Sequence, residues 1–179
     1  ELETLADLIV NLLPAYPETS PPIVFDRDLE IAPRSLPADS EREGGPDALA
    51  FVFKTERRRR HRLVFVRVLR GRLESARVLV RASDRRAWPG ADLARVMGQD
   101  YETIATLEAG EVGAIVFPLD VDVPLTGDTL GHVALAFTCE PIVPPDAVIE
   151  TTIEASDPAA HERLTRAIQA LVSDDPSLC

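Results

Sequence analysis

Between residues 48 and 117 the chain is a run of short β-rich segments, none as long as an ordinary helix, each cut off by glycine, proline or a polar cluster. They are "ALAFVFKT" (48–55), "HRLVFVRVL" (61–69), "ARVLVRA" (76–82), "DLARVM" (92–97), "YETIATL" (101–107) and "EVGAIVF" (111–117). The turn "LTGDTL" (125–130) then leads into one more short strand. Short strands at this spacing specify an antiparallel sandwich or barrel. Closure is the better solution for a valine-rich chain, because it removes edges that would otherwise template aggregation.

The stretch "RVLRGRLESARVLV" (67–80) shows how such strands connect. An apolar run breaks at Arg70-Gly71. The chain then alternates, with Ala76, Val78 and Val80 against Arg77, Leu79 and Arg81. This reads as strand, tight turn, strand, with one face wet. Arginine is also concentrated here. Residues 54–95 hold 14 basic and 4 acidic side chains, while the whole chain carries a net charge of −11. Such asymmetry suits one face that meets a polyanion while the rest stays soluble. A solvated strand face would carry the same charges. The single lysine, Lys54, against eighteen arginines reads as a GC-rich codon bias.

The flanks have a different texture. Leu2, Leu5, Ile9 and Leu12 recur at helical spacing, and Pro14 ends that pattern. Residues 17–47 hold six prolines and many acids, too little apolar surface to order themselves, and read as a linker. A second linker surrounds "CEPIVPPD" (139–146). "AVIETTIEA" (147–155) alternates like a strand. Asp157-Pro158 then opens a helix, with Asp as cap, Pro in the first turn and Leu164, Ile168, Leu171 and Val172 as its stripe. A lone strand and helix are half of an α/β unit. With no initiating Met, the chain reads as a piece of a longer protein.

Several chemistries lack their residues. No Gly-x-x-x-x-Gly-Lys-Ser/Thr loop is present to cradle phosphates. His61, His132 and His161 have no metal-ligand spacing. Cys139 lies seven residues from His132 without a third orienting group, so a structural cysteine outweighs a nucleophile. Asp120 and Asp122 read as a solvated turn rather than a calcium site. Two cysteines, one terminal, make no disulfide framework and fit a reducing compartment. No apolar run approaches the ~20 residues of a membrane span. Neither catalytic nor metal residues are assigned.

"FVFK" (51–54), "RLVFVRVLRGRLES" (62–75), "LEAGEVGAI" (107–115) and "LTGDTL" (125–130) come in order and at plausible spacing. Together they resemble the second domain of the translational GTPases. The flanks extend the resemblance toward elongation factor G. "LADLIVNLLPAYPETSPP" (5–22) is similar to the last helix of its GTPase domain, and "IETTIEASDPAAHERLTRAIQALVSDDPSL" (149–178) to the start of its third domain. The chain departs from the pattern at Ala76, where the family often has Gly, at "FPLDVDVP" (117–124), and in the basic loop "TERRRRH" (55–61).

The resemblance implies four regions: 1–16, the last G-domain helix; 17–47, a Pro-rich acidic linker; 48–140, domain II; and 141–179, a linker with the truncated start of α/β domain III. The implied fold is mainly β, a closed antiparallel Greek-key barrel flanked by an N-terminal helix and a C-terminal strand-helix unit. Lys54, Arg67, Gly71, Gly110, Gly127 and Asp128 become the structural residues of the family motifs. Arg57, Arg58, Arg59, Arg60, Arg62, Arg77 and Arg81 become candidate contacts to small-subunit rRNA, since guanidinium groups neutralise phosphate and bind it bidentately. Arg67 reads equally as a structural residue spanning the barrel edge.

The implied partners are the ribosome and the remainder of the chain, in the cytoplasm, with neither membrane nor DNA. GTP and Mg would belong to a G domain outside this stretch. The implied role is translation elongation. Tetracycline-resistance ribosomal protection proteins and release factor three share the scaffold. A peptide-binding β-barrel is the alternative of another class.

Overall fold

The structure, a computed structural model, describes residues 2–13, 23–26, 34–35, 48–132, 135, 137–143, 148–175 and 177–178. Most of the 17–47 segment and the terminal Cys179 lie outside the described residues. The described chain is mainly β, with two helices. Its strands are β1 (Ile23–Asp26), β2 (Arg34–Ser35), β3 (Leu49–Arg57), β4 (His61–Arg70), β5 (Arg72–Glu74), β6 (Leu79–Arg81), β7 (Ala87–Trp88), β8 (Asp92–Met97), β9 (Asp100–Ile104), β10 (Thr106–Glu108), β11 (Val112–Pro118), β12 (Thr129–Gly131) and β13 (Phe137–Cys139). The helices are α1 (Leu2–Leu12) and α2 (Pro158–Asp174).

Eight strands form one antiparallel sheet in the order β7-β6-β12-β3-β4-β11-β8-β9. The long β3–β4 hairpin is its spine, with Arg57 opposite Arg62 at the tip. Alternation along β4 buries Val64, Val66 and Val68 and turns Phe65 and Arg67 outward. In β3 the register shifts between Val52 and Lys54. This bulge at Phe53 changes the parity of the strand, so Ala50 and Val52 point inward before it and Thr55 after it. Leu73, Leu79, Trp88, Leu93, Leu107, Ile115, Phe117 and Leu130 complete the main core.

A smaller core lies under a second sheet, β13-β1-β2, where Val24, Leu49, Ala82, Leu135 and Cys139 meet. β1 and β2 both fall in the segment read as linker. Val24 is buried there opposite Cys139.

Three sequence expectations need correction. The chain does not fold back on itself at Arg70-Gly71: β5 leaves β4 and pairs with β10. Gly71 takes a φ of 66°, which redirects the strand with no Cβ to oppose it. Second, the 76–82 segment is strand only from Leu79, and Leu79 is the residue that enters the core while Val78 stays outside. Third, residues 148–155 pair with no described strand, and Val148 and Ile149 are almost fully exposed. Their alternation supplies one apolar side, but no described sheet edge is there to satisfy their backbone.

The helices follow their local signals. Asp157 caps α2 by accepting from the Ala160 N–H at 2.7 Å, with Pro158 in the first turn. No residue of α1 is buried.

Candidate nucleic-acid interface

Gly71, Gly110, Gly127 and Asp128 hold turns and corners, while Lys54 and Arg67 lie within strands. Gly127 has a φ of 95°, and its N–H donates to the Val52 carbonyl at 2.8 Å, while Val52 N–H donates to the Asp128 carbonyl at 2.9 Å. The "TGD" turn therefore locks onto the β3 bulge. Asp128 accepts from Leu125 N–H at 2.8 Å and from the Arg81 guanidinium at 3.1 Å. Gly110, with a φ of 90°, donates to the Val68 carbonyl at 2.8 Å and closes the turn into β11. Lys54 lies over the Phe65 ring at 5.3 Å and pairs with Glu56 at 3.2 Å. Arg67 faces outward from β4, in register with Phe51 and Val112.

The candidate RNA-contacting arginines divide into groups. Arg81 is bound twice, to Asp84 at 2.5 Å and Asp128 at 3.1 Å, and lies 5.6 Å from the Trp88 ring centre. The hydrogen bond to Asp84 raises its pKa above the ordinary arginine value against the cost of burial. Reciprocally, Arg81 and the Arg86 N–H hold the Asp84 carboxyl well below the usual range. Arg77 pairs with Glu74 at 3.3 Å. These two are engaged within the fold.

Arg58 is also engaged. Its side chain is 17% exposed, its Nε donates to Glu56 at 2.9 Å, and it donates to the Gln99 carbonyl at 2.6 Å. Burial pushes Glu56 upward, but Arg58 and Lys54 outweigh it and hold the carboxyl below its usual range. Arg62 is half-buried on β4. Arg57, Arg59 and Arg60 remain, all exposed at the hairpin tip. None of the three forms an ion pair with the described residues.

Sequence reasoning missed the neighbours of this tip. Arg58 reaches the β8–β9 turn, and His61 stands edge-on to Tyr101, with ring centres 5.0 Å apart and planes at 72°. A cleft of about 500 Å³ opens there, lined by Arg59, Arg60, His61, Gln99 and Tyr101. No sequence signal links 58–61 with 99–101, because the contact depends on sheet curvature.

His132 and Cys139 are both buried, and each is held by its own set of partners. His132 Nδ1 lies 2.9 Å from the Val78 carbonyl and its Nε2 accepts from Glu74 N–H at 3.0 Å, which fixes a neutral ring. Burial lowers its pKa. The Cys139 N–H donates to the Thr129 hydroxyl at 2.8 Å. Burial pushes the Cys139 thiol up to about 11. Neither group is poised for nucleophilic chemistry at neutral pH. Among the described residues no group of three or more His, Cys, Asp or Glu could hold a metal ion, and no helix is long and apolar enough to cross a membrane.

A long β3–β4 spine, a strand turned at Gly71 and a Thr-Gly-Asp turn locked onto a bulge organise the β-domain. Residues 47–133 match the family described as elongation factor G domain 2. The chain is thus an elongation-factor-G-like segment, and its β-domain is similar to domain 2 of that factor. Over 98% of its length it is 27% identical to elongation factor G 2 of Shewanella sp. strain MR-4. It is 26% identical to elongation factor G 2 of Pseudoalteromonas translucida strain TAC 125 over the same share. The chain spans 24% of the length of each of these relatives. A crystal structure of a Thermus thermophilus protein shares the fold, with a TM-score of 0.57 and 24% identity over 80% of this chain and 21% of that one.

Proposed function

We propose that this chain is the ribosome-docking β-domain of an elongation-factor-G-like GTPase acting in translocation, and that its β3–β4 tip contacts small-subunit rRNA. One observation carries the reading. Lys54, Arg58, Arg72, Arg77, Arg81, Arg86 and Arg95 are each paired to a carboxylate within the fold. Of the exposed guanidinium groups in the domain with no such partner among the described residues, Arg57, Arg59 and Arg60 sit together at one tip, and Arg85 stands apart from them in the β6–β7 turn. Phosphate contacts of this kind position a protein without reading sequence.

The sheet in this reading is a closed barrel. Support comes from continuity: β5 prolongs β4 past Gly71, β10 prolongs β9 past Ala105, and β5 pairs with β10. The four regions keep the boundaries 1–16, 17–47, 48–140 and 141–179. In this reading GTP has no site in this stretch, since no glycine-rich loop precedes Lys54. GTP and Mg would be held by a G domain elsewhere in a longer, cytoplasmic protein.

The test is a salt titration of the full-length protein on small ribosomal subunits. Changing Arg57, Arg59 and Arg60 together to Gln should lower the slope of log K against log salt by roughly 2–3, at about 0.7–0.9 per lost phosphate contact. An unchanged slope returns the tip to a solvated loop. A slope near zero in the wild type favours a peptide partner.

A further inference from the structure

We infer that the cleft between the β3–β4 and β8–β9 tips receives one unpaired RNA nucleotide, with its base on Tyr101 and its phosphate on Arg59 or Arg60. The inference rests on the docking reading above and adds the class of ligand and the residue that stacks it.

The cleft is preformed. The Arg58 guanidinium joins Glu56 on one hairpin to the Gln99 carbonyl on the other, at 2.9 and 2.6 Å. With the Arg58 side chain 17% exposed, the brace is partly shielded from solvent. His61 buttresses Tyr101 edge-on. Tyr101 nevertheless stays 40% exposed. A base can therefore stack without first ordering the wall, which removes part of the cost of binding.

Size and charge agree. About 500 Å³ of open surface cleft leaves room for one planar ligand. Glu56 is the acid among the lining residues, and both Lys54 and Arg58 neutralise it. Arg59 and Arg60 then give the cleft a net positive charge. His61 Nε2 is buried without a hydrogen-bond partner among the described residues. An exposed aromatic ring beside two exposed guanidinium groups fits a planar ligand carrying a phosphate. Bases inside a stem do not offer a face, so the nucleotide must be unpaired.

The experiment uses full-length protein on small ribosomal subunits, with chemical probing of unpaired bases. Tyr101→Ala should weaken binding roughly five- to hundred-fold, the range expected for one stacked base, at an unchanged salt slope. It should also expose a base that the wild type protects. Tyr101→Phe, which keeps the stacking face, should bind within about twofold of wild type. If the tip-arginine variant loses slope while Tyr101→Ala binds like wild type, the cleft assignment fails and the docking reading stands. If the arginine variant keeps the full slope, the tip meets no phosphate, and the tip contact and the cleft assignment fail together. Weakened Tyr101→Ala binding with no base protected in the wild type means that Tyr101 meets a protein, and overturns the nucleotide.

Discussion

Ala76 is at odds with its own backbone. Its φ of 61° lies in the left-handed region, where a Cβ crowds the carbonyl at a cost of about 1–2 kcal/mol. Glycine escapes that cost but returns about 0.4–1 kcal/mol through the greater freedom of the unfolded chain. The methyl is exposed, so its loss removes no core packing. The hydrogen bond from Ala76 N–H to the Ala91 carbonyl, 3.1 Å, belongs to the backbone and survives. Ala76→Gly should therefore stabilise the chain by about 0.5–1 kcal/mol. In urea unfolding with a typical slope of about 2 kcal/mol per M, the midpoint should rise by roughly 0.3–0.5 M at constant slope. An unchanged or lower midpoint would refute the assignment of strain to this residue.

Gly90→Ala should act in the opposite direction. Its Cβ would stand 1.9 Å from the Ala76 carbonyl oxygen, which no side-chain adjustment relieves, so a loss of at least about 1–3 kcal/mol is expected in the same assay. Asp128→Ala should cost about 1–3 kcal/mol, because it strips one partner from Arg81 and the acceptor from Leu125 N–H. In a Cys179→Ser background, Cys139 should react with a thiol reagent at pH 8 only as fast as the chain opens, since its thiol is buried and pushed up to about 11.

His132 should make stability fall with acid. Its folded pKa lies below the unfolded value of about 6.5, so the unfolded chain takes the proton first. This contribution is complete above about pH 7 and declines as pH falls through the window beneath 6.5, by at most about 1.4 kcal/mol per pH unit. Unfolding at pH 7, 6 and 5 should show this slope in the wild type and its loss in His132→Gln. Equal slopes would remove His132 as the source.

The strands were legible because valine-rich runs and glycine breaks are local signals. β3, β4, β8 and β11 lie close to where alternation and turn residues place them. Pairing was less legible. Gly71 reads as a hairpin turn in any local window, and only the choice of β10 as partner for β5 makes it a corner. The phase of 76–82 was lost for a similar reason, because the turn over 75–78 moves Leu79 inward. Ala76 itself was visible as a departure from a family glycine, and its positive φ gives that departure a physical meaning. Tyr101 carried no signal at all, being one more aromatic in a strand until Arg58 and His61 are folded against it.

The same limit explains the arginines. A window over 54–95 counts a large basic excess, but a window cannot see across a sheet. Arg72 finds Glu108, Arg86 finds Asp122, Arg95 finds Glu111 and Arg81 finds Asp128. Every one of these acids lies outside the window. Antiparallel pairing brings the acidic half of the domain beside the basic half, so much of the excess is neutralised within the fold. Most of those pairs are solvent-exposed and contribute at most about 1 kcal/mol each, too little to account for so many arginines by stability alone. What they do accomplish is to reduce the positive field of the sheet around Arg72, Arg81, Arg86 and Arg95, while Arg57, Arg59 and Arg60 stay exposed together at the hairpin tip. In the proposed docking, a net −11 chain would approach a polyanion through Arg57, Arg59 and Arg60, with its acidic surface turned away.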